Sequence, residues 1–588
     1  MKVLLKLMSL TLAGGMMGCG TVPDGPESLS KLADEYWEGQ LAANPVSATA
    51  IGDRRYDHLL SDLTPERRER DRRRLDGVLQ RARAIDPDEL GPADQLTRLA
   101  LVNEVEGDLA LLDCGLDDWS VDPLNGPQVS FLNIESFQTV RTVEEGRAMV
   151  QRWKAMGPYV AVHVSNLRRS LGEGRVATRD AVLKVIEEIE DLLQQPENEW
   201  PLLKPLETPH LDWSSEERAE FDKALRGAVR ESVRPAMERY GEFLQEELLP
   251  RARPQEKPGI VHIPDGIDCY RNLVRVHTSL DLSPEDIHQT GLDEVSRINA
   301  EMERLGERVL GTSDRREILS RLRTDPELYF ETSDQVAAKA ESALRRAQDA
   351  VSDWFGNLPK ASCEVTRMKK HEEKHSTIAY YLESTVDGSR PGRYYINTSE
   401  PRTRPRYEAE ALAYHEAVPG HHLQIALTQE LSGLPAFRRY EGVTAFVEGW
   451  ALYAERLADD MGLYSSDLDR MGMLSYEAWR ACRLVVDTGM HAKGWSRQQA
   501  IDFMLNNTVL AENNIVNEVD RYIVWPAQAL AYKIGQLEIL RLRGEAESRL
   551  GKRFDIKAFH DTVLGSGAVP LESLRHAVEK YVQSAMLD

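Results

Sequence analysis

The chain has 588 residues, of which 41% are hydrophobic and 29% are charged, a composition typical of a globular protein rather than a disordered one. Its net charge of −23 would repel a phosphate backbone, which argues against nucleic acid as a partner. After the first 20 residues no stretch is apolar over the length that a bilayer-spanning segment needs.

The N-terminus has the pattern of an export signal. A basic start is followed by the apolar run Leu7–Met17 and then by Gly18 and Cys19, an order that resembles a bacterial lipoprotein cleavage site. We therefore expect residues 1–18 to be a signal peptide and Cys19 to carry a lipid. Gly20 favours an outer-membrane anchor facing the periplasm, and this anchor would be the protein's one link to the membrane. An ordinary signal peptide with a chance cysteine is the alternative.

Four further cysteines, at positions 114, 269, 363 and 482, show no C-x-x-C spacing. They therefore indicate neither a redox motif nor a cysteine zinc site. An exported protein could pair them, but the sequence gives no connectivity, and isolated thiols in the core are the favoured interpretation.

The rest of the chain divides into a tether and two helical regions. Residues 19–30 are polar and rich in Pro and Gly, which suits a tether, and a helical pattern starts at Ser28 or Ser30. Segments with a 3.6-residue period predict an N-terminal helical region over 31–260. Proline and glycine breaks near residue 260 separate it from a second helical region, 261–588, in which we place the catalytic residues.

Strand patterns are few. Thr377–Leu382 and Arg393–Thr398 are rich in β-branched and aromatic residues, and the turn-forming run Asp387–Gly392 lies between them. They predict one small antiparallel sheet in a chain that is otherwise mostly α.

The strongest chemical pattern begins at His415-Glu416. A zinc hydrolase needs neutral imidazole ligands and a neighbouring carboxylate that accepts a proton from water, which a helix usually supplies as H-E-x-x-H. Here the next histidine is His421, six residues on. On a straight helix that is about 9 Å of rise and roughly 240° of rotation, so two such histidines could not reach one ion. Pro419-Gly420 predicts the kink that a shared site requires.

The run H-E-x-x-P-G-H-x-x-Q resembles the motif of a bacterial family labelled domain of unknown function 885, and the likeness extends from about residue 30 to the C-terminus. That family is distantly similar to helical zinc peptidases such as carboxypeptidase Taq and thimet oligopeptidase. The resemblance implies a large helical metallopeptidase-like fold with a deep cleft, Zn²⁺ as the cofactor and His421 as the second ligand. His422 is the alternative second ligand.

A third ligand is expected from a later helix. Glu448 is embedded among large hydrophobic residues, where a carboxylate is costly unless it has a partner such as a metal ion. Its distance from His421 is similar to the ligand spacing of the thimet oligopeptidase-like enzymes. Glu455, two turns further along the same helix face, is expected to hold the free N–H of a ligand histidine.

Other candidate residues surround this motif. A polar stripe predicted on the helix over 470–493 contains Tyr476, Arg480, Arg483, Asp487 and His491, of which Arg483 and His491 are favoured as pocket residues. The related peptidases stabilise their tetrahedral intermediate with a tyrosine and a histidine. This likeness implies catalytic roles for Tyr532 and His491, with simple packing as the alternative. It also implies that the strand at residues 394–398 aligns a substrate, with Tyr395 and Asn397 as contacts.

The sequence thus predicts a zinc-dependent peptidase whose substrates are peptides or oligopeptides. His415, His421 and Glu448 are the predicted ligands, and Glu416 is the predicted general base. A zinc hydrolase of a non-peptide amide or a cell-wall cross-link is the second hypothesis, and an inactive lipid-tethered binding protein is the third. Mn²⁺ or Co²⁺ could replace zinc, and the oligomeric state is left open.

Overall fold

The structure, a computed structural model, describes residues 26–373, 377–385, 390–431, 433–440 and 442–587. The predicted signal peptide and Cys19 lie outside these residues, as does half of the predicted turn at 387–392. Within the described ranges, no helix combines the length and the apolar character that crossing a membrane requires.

The predicted mostly-α fold is confirmed, and α-helices follow one another along nearly the whole described chain. In the first half they are α1 (Pro26–Ala43), α2 (Pro45–Ala50), α3 (Pro65–Ala84), α4 (Pro92–Cys114), α5 (Pro127–Asn133), α6 (Val143–Gly172), α7 (Arg179–Gln194), α8 (Ser215–Ala228), α9 (Arg234–Phe243), α10 (Gly266–Thr278), α11 (Pro284–Val309) and α12 (Arg315–Thr324). In the second half they are α13 (Ser333–Ala350), α14 (Lys370–Glu373), α15 (Ala409–Glu416), α16 (His421–Glu430), α17 (Ala436–Tyr440), α18 (Thr444–Asp460), α19 (Asp467–His491), α20 (Arg497–Asn507), α21 (Glu512–Val524), α22 (Ala531–Leu550), α23 (Ile556–Gly565) and α24 (Leu571–Leu587). Helix α1 starts before the predicted Ser28, because Pro26 is tolerated in a first helical turn.

One small sheet interrupts the helices. Its strands are β1 (Cys363–Arg367), β2 (Ala379–Leu382) and β3 (Gly392–Ile396), in the order β1-β3-β2. The predicted antiparallel pair is present as β2 and β3, but β1 pairs with β3 in parallel, so the sheet is mixed rather than antiparallel. Strand β1 was not predicted, although its run C-E-V-T-R alternates apolar and polar residues from Cys363 to Thr366.

The cysteine interpretation also needs correction. Cys114, at the end of α4, and Cys269, in α10, form a disulfide with their Cα atoms 4.9 Å apart. Their 155-residue separation gave no sequence signal for this pairing. Cys363 and Cys482 are the buried free thiols that the sequence favoured.

Helix α19 forms the centre of the part of the molecule that carries the predicted site. From Met471 to His491 all its residues except Trp479 are buried, whereas a surface helix buries only one face. It packs along α11 and also contacts α15, α18, α21 and α22. Polar side chains on α19 must therefore find partners inside the protein.

Candidate metal centre

The predicted irregularity in the motif helix is confirmed as a complete break. Helix α15 ends at Glu416 and α16 begins at His421, with Ala417–Gly420 between them. A Cβ atom on Gly420 would lie 1.9 Å from the carbonyl oxygen of His415, so only glycine permits this return of the chain. The return brings His421 back beside His415, with their rings perpendicular and 4.8 Å apart.

Three predicted ligands converge at this break. The Nε2 atoms of His415 and His421 each lie 3.6 Å from Oε2 of Glu448, and one ligand atom from each residue falls within 4.8 Å of the others. Ligand atoms of a tetrahedral zinc site with bonds of about 2.1 Å are about 3.4 Å apart. Two imidazoles and a carboxylate are also a donor set that zinc accepts. The residues therefore fit a single divalent ion.

Of the two histidines, His415 alone has a partner for its outer ring nitrogen within the described residues. Nδ1 of His415 is 2.8 Å from Oε1 of Glu455, so the predicted contact between Glu455 and a histidine is present. This contact fixes the ring so that Nε2 faces Glu448. Nδ1 of His421 is buried and has no hydrogen-bond partner within the described residues.

The pKa values reflect an excess of negative charge. Burial alone would lower the pKa of His415, but its contacts with Glu448 and Glu455 raise it to about 9. Burial alone would raise the pKa of Glu448, but its hydrogen bond with His415 and the influence of His421 lower it to about 2. Burial lowers the pKa of His421. The carboxylates thus favour a positive charge between them, which suits a divalent cation.

Glu416 lies beside the candidate ligands. It is the last residue of α15, its side chain is only partly buried, and its charge acts on both His415 and His421. It also raises the pKa of Tyr394, which burial already holds well above its usual range. Glu416 therefore borders the ligands and the buried face of β3.

The directions of the two side chains distinguish His421 from His422 as the second candidate ligand. Nδ1 of His422 contacts the hydroxyl of Tyr381 at 2.9 Å, and its Nε2 contacts the carbonyl oxygen of Ala361 at 3.2 Å. Both ring nitrogens are therefore engaged by neighbouring segments, and the motif presents His421 to Glu448.

Close packing between α18 and α22 brings Tyr532 to the three candidate ligands. A Cβ atom on Gly535 would lie 1.8 Å from the carbonyl oxygen of Ala445, so the two helices touch through their backbones. Tyr532 lies one turn before this contact. Burial raises its pKa, and the charge of Glu448 raises it further, which places the two side chains close together. Tyr532 is thus a neighbour of the cluster, as predicted.

Two arginines of α19 approach this region. Arg483 stacks on Tyr532 with its guanidinium carbon 4.5 Å from the ring centre, donates to the hydroxyl of Tyr522 at 2.9 Å and pairs with Glu518 at 3.1 Å. Arg480 lies one turn earlier and is 7% exposed. Its positive charge is one of the influences that act on Glu448 and on Tyr532. The sequence placed Arg480 on the polar stripe but favoured Arg483.

His491 is not available for catalysis in this structure, contrary to the prediction. Its Nδ1 accepts from the backbone N–H of Ile260 at 3.2 Å, and its Nε2 donates to the carbonyl oxygen of Tyr522 at 2.9 Å. The ring is completely buried and stacks on Tyr270. Burial lowers its pKa to about 3. His491 is a neutral residue that joins three segments, with no nitrogen left for a substrate.

The predicted contacts of Tyr395 and Asn397 also need correction. Strand β3 lies between β1 and β2, so its backbone is paired on both sides and cannot align a peptide as an edge strand does. Tyr395 stacks on Tyr380 of β2. Asn397 is buried and donates to the carbonyl oxygens of Glu373 and Thr377. The face of β3 towards Glu416 carries Tyr394 instead, because neighbouring side chains alternate.

Comparisons with known proteins agree with this fold. Residues 45–578 match the family described as "Bacterial protein of unknown function (DUF885)", and the chain belongs to this family. A crystal structure of a "putative lipoprotein" from Colwellia psychrerythraea is 28% identical, with a TM-score of 0.87 over 95% of this chain and 99% of that one. A "putative lipoprotein of unknown function" from Shewanella oneidensis is 17% identical, with a TM-score of 0.73 over 93% and 99%, and shows the shared fold alone. No curated protein matched.

Proposed function

We propose that this member of the DUF885 family is a zinc-dependent peptidase that hydrolyses peptide bonds of peptides or oligopeptides. The observation that carries the proposal is the convergence of His415, His421 and Glu448, with Glu416 beside them. Two imidazole nitrogens that each lie 3.6 Å from one carboxylate oxygen support it, because ligand atoms around a shared zinc ion are about 3.4 Å apart.

The proposed mechanism uses the carboxylate of Glu416 for proton transfer. His415, His421 and Glu448 would hold a zinc ion, which would supply the Lewis acidity that polarises a scissile carbonyl and makes a water proton easier to remove. Glu416 accepts that proton as the water oxygen attacks the carbonyl carbon. The same carboxyl group then donates it to the nitrogen of the leaving amine. Glu455 keeps the ring of His415 in place throughout, through the contact at 2.8 Å.

Tyr532 is proposed to stabilise the oxygen on which negative charge develops. Its raised pKa keeps the hydroxyl protonated at neutral pH, so it can donate a hydrogen bond. Stacking of Arg483 on its ring restricts the movement of the side chain. Removing such a donor costs about 100-fold to 1,000-fold in kcat in other hydrolases.

The test is Glu416→Gln in zinc-loaded protein. Cleavage of a peptide mixture, followed by mass spectrometry, should disappear while the zinc content stays near that of the wild type. Glu512→Gln, at an exposed position at the start of α21, is the matched control and should leave both unchanged. Full turnover by Glu416→Gln removes the proposed base. Cleavage of amides other than peptides by the wild type would move the assignment to the second hypothesis.

We also propose that the protein is exported and anchored through Cys19 to the outer membrane, facing the periplasm. The lipoprotein-like N-terminus and the names of the two structural neighbours support this location. The disulfide between Cys114 and Cys269 supports an oxidising compartment. Metabolic labelling with a clickable fatty acid should mark the wild type and leave Cys19→Ser unmarked.

A further inference from the structure

Arg480 is a buried cation that makes no hydrogen bond to any described residue. Its Nε and Nη1 atoms are inaccessible to solvent and have no partner in the part of the chain that the structure describes. Its guanidinium lies 4.1 Å from the ring centre of Trp479 and 4.8 Å from that of Tyr476, so two aromatic faces hold it in position. Burial of a charge without a hydrogen-bonded partner is costly. This cost is understandable if a ligand supplies the missing acceptor.

The acids around Arg480 do not fill that role. Glu408 is the acid of the preceding segment whose charge interacts with Arg480, but its carboxylate accepts from the hydroxyl of Ser475 at 2.7 Å instead. Burial raises the pKa of Glu408 to about 7, so near neutral pH a good part of it is uncharged. Glu448 acts on Arg480 only at a distance and is engaged with His415 and His421.

A second free donor lies next to Arg480 on the same helix. Arg483 uses Nε and Nη2 for Tyr522 and Glu518, and its Nη1 is buried without a partner within the described ranges. Trp479 lies between the two arginines, since its ring is 4.5 Å from the guanidinium carbon of Arg483 and 4.1 Å from that of Arg480. Two guanidinium groups, each with at least one nitrogen that lacks a hydrogen-bond partner in the described chain, therefore flank the indole of Trp479.

The ligand that fits these donors is a carboxylate. A guanidinium and a carboxylate are both planar and form paired, charge-assisted hydrogen bonds. The acidic surface of the chain disfavours a polyanion, whereas every unmodified peptide carries at least one carboxylate, at its C-terminus. The arginines also act on Tyr532, which borders the metal ligands, so a carboxylate bound here belongs to the molecule that those ligands hold.

We propose that Arg480, assisted by Nη1 of Arg483, binds a carboxylate of the peptide substrate and thereby selects the bond presented to Glu416. This inference rests on the proposed peptidase function and adds the substrate class to it. The carboxylate comes either from the C-terminus, which makes the enzyme a carboxypeptidase or a peptidyl-dipeptidase, or from an Asp or Glu side chain.

The first experiment measures kcat/KM on matched peptides with zinc-loaded full-length protein. One pair differs by a free C-terminal acid or an amide, and the other pair, both amidated, differs by an internal Glu or Gln. We expect about tenfold to 100-fold preference for a carboxylate in one pair, the range of a hydrogen bond to a charged group. Arg480→Gln should abolish that preference, because kcat/KM should fall more for the carboxylate peptide than for its neutral counterpart. Arg480→Lys should recover only part of the preference, because lysine keeps the charge but lacks the planar pair of donors.

Arg316→Gln, on the exposed surface of α12, is the matched control and should behave as the wild type. Equal cleavage of acid and neutral peptides by the wild type overturns the inference while the peptidase assignment stands. Equal losses on all peptides in Arg480→Gln also overturn it, because that pattern indicates a structural role.

The second experiment does not depend on turnover. Binding of the same peptides to Glu416→Gln protein is measured by calorimetry. Tighter binding of the carboxylate peptide, lost in Glu416→Gln/Arg480→Gln, supports the site even if the wild type cleaves no peptide, and only the peptidase proposal then fails. If the double variant does not fold, the test rests on Glu416→Gln alone, by comparing its binding of the carboxylate peptide with its binding of the neutral peptide. Equal binding of the two peptides, or no binding of either, overturns the carboxylate site.

Discussion

The contact between His415 and Glu455 allows a graded test of the metal centre. Glu455 has a side chain that is 1% exposed, and its Oε1 atom lies 2.8 Å from Nδ1 of His415. A carboxylate in this position orients the ligand ring and makes it a better donor, and its loss typically weakens metal binding 10-fold to 100-fold. In free energy that range is about 1.4 to 2.7 kcal/mol.

The structure separates two contributions within this range. Glu455→Gln keeps an oxygen that can accept from Nδ1 of His415 and removes only the charge, so we expect about a tenfold loss of zinc affinity. Glu455→Ala also removes the acceptor and leaves the ring free to turn, so we expect about a 100-fold loss. Oε2 of Glu455 already lacks a partner in the described structure, so the glutamine amide displaces no existing hydrogen bond.

The assay is a zinc titration of metal-free protein against a chromogenic chelator at pH 7.5. The wild type and the control variant Glu512→Gln, which changes an exposed residue, should give the same dissociation constant for zinc. The reasoning is refuted if Glu455→Gln binds zinc as tightly as the wild type, or if Glu455→Ala binds no more weakly than Glu455→Gln. Circular dichroism of each metal-free variant distinguishes a loss of affinity from a loss of fold.

Two further predictions concern stability. Burial raises the pKa of Asp487 to about 7 although Tyr270 and the backbone of Ala527 donate to it, so its contribution to stability is complete below about pH 4 and is lost as pH rises through 7. The melting temperature of Asp487→Asn should therefore fall less than that of the wild type between pH 5 and pH 8. Equal falls in the two proteins would contradict this. Reduction of the disulfide between Cys114 and Cys269 should lower the free energy of unfolding in urea by about 2 to 5 kcal/mol. The stability of a double Cys→Ser variant at these positions should not respond to the reductant. If the stability of the wild type is equally insensitive, the prediction is contradicted.

The cluster of His415, His421 and Glu448 was predictable because metal chemistry restricts both residue type and spacing. A histidine followed by a glutamate, with a second histidine after Pro-Gly, requires a break in the helix, and that break is present between Glu416 and His421. What the sequence did not show is the contact that closes it, between Gly420 and the backbone of His415. That contact depends on a backbone path, which residue types only suggest.

The supporting residues were harder to predict, because a polar side chain gives no indication of the segment that it meets. His491 has the residue type and the helix position of a catalytic group, yet its partners are backbone atoms of Ile260 and Tyr522, the first of them 231 residues away. Tyr394 and Tyr395 are both tyrosines, and only the packing of one face of the sheet against the interior decides which of them lies towards Glu416. Such choices depend on tertiary contacts that a single sequence does not contain.

Helix α19 shows how a buried charge with a structural role differs from one that lacks an internal partner. Glu477 is 1% exposed and receives hydrogen bonds from Arg297, Arg456 and Lys533, which together hold its pKa below its usual range although burial opposes them. Arg480, three residues later, is buried almost as deeply and has no such partner in the described chain. At Glu477 the fold thus provides counter-ions for a buried charge. Because an unsatisfied guanidinium weakens the folded state, the position of Arg480 beside the candidate ligands supports the proposal that a substrate carboxylate binds there.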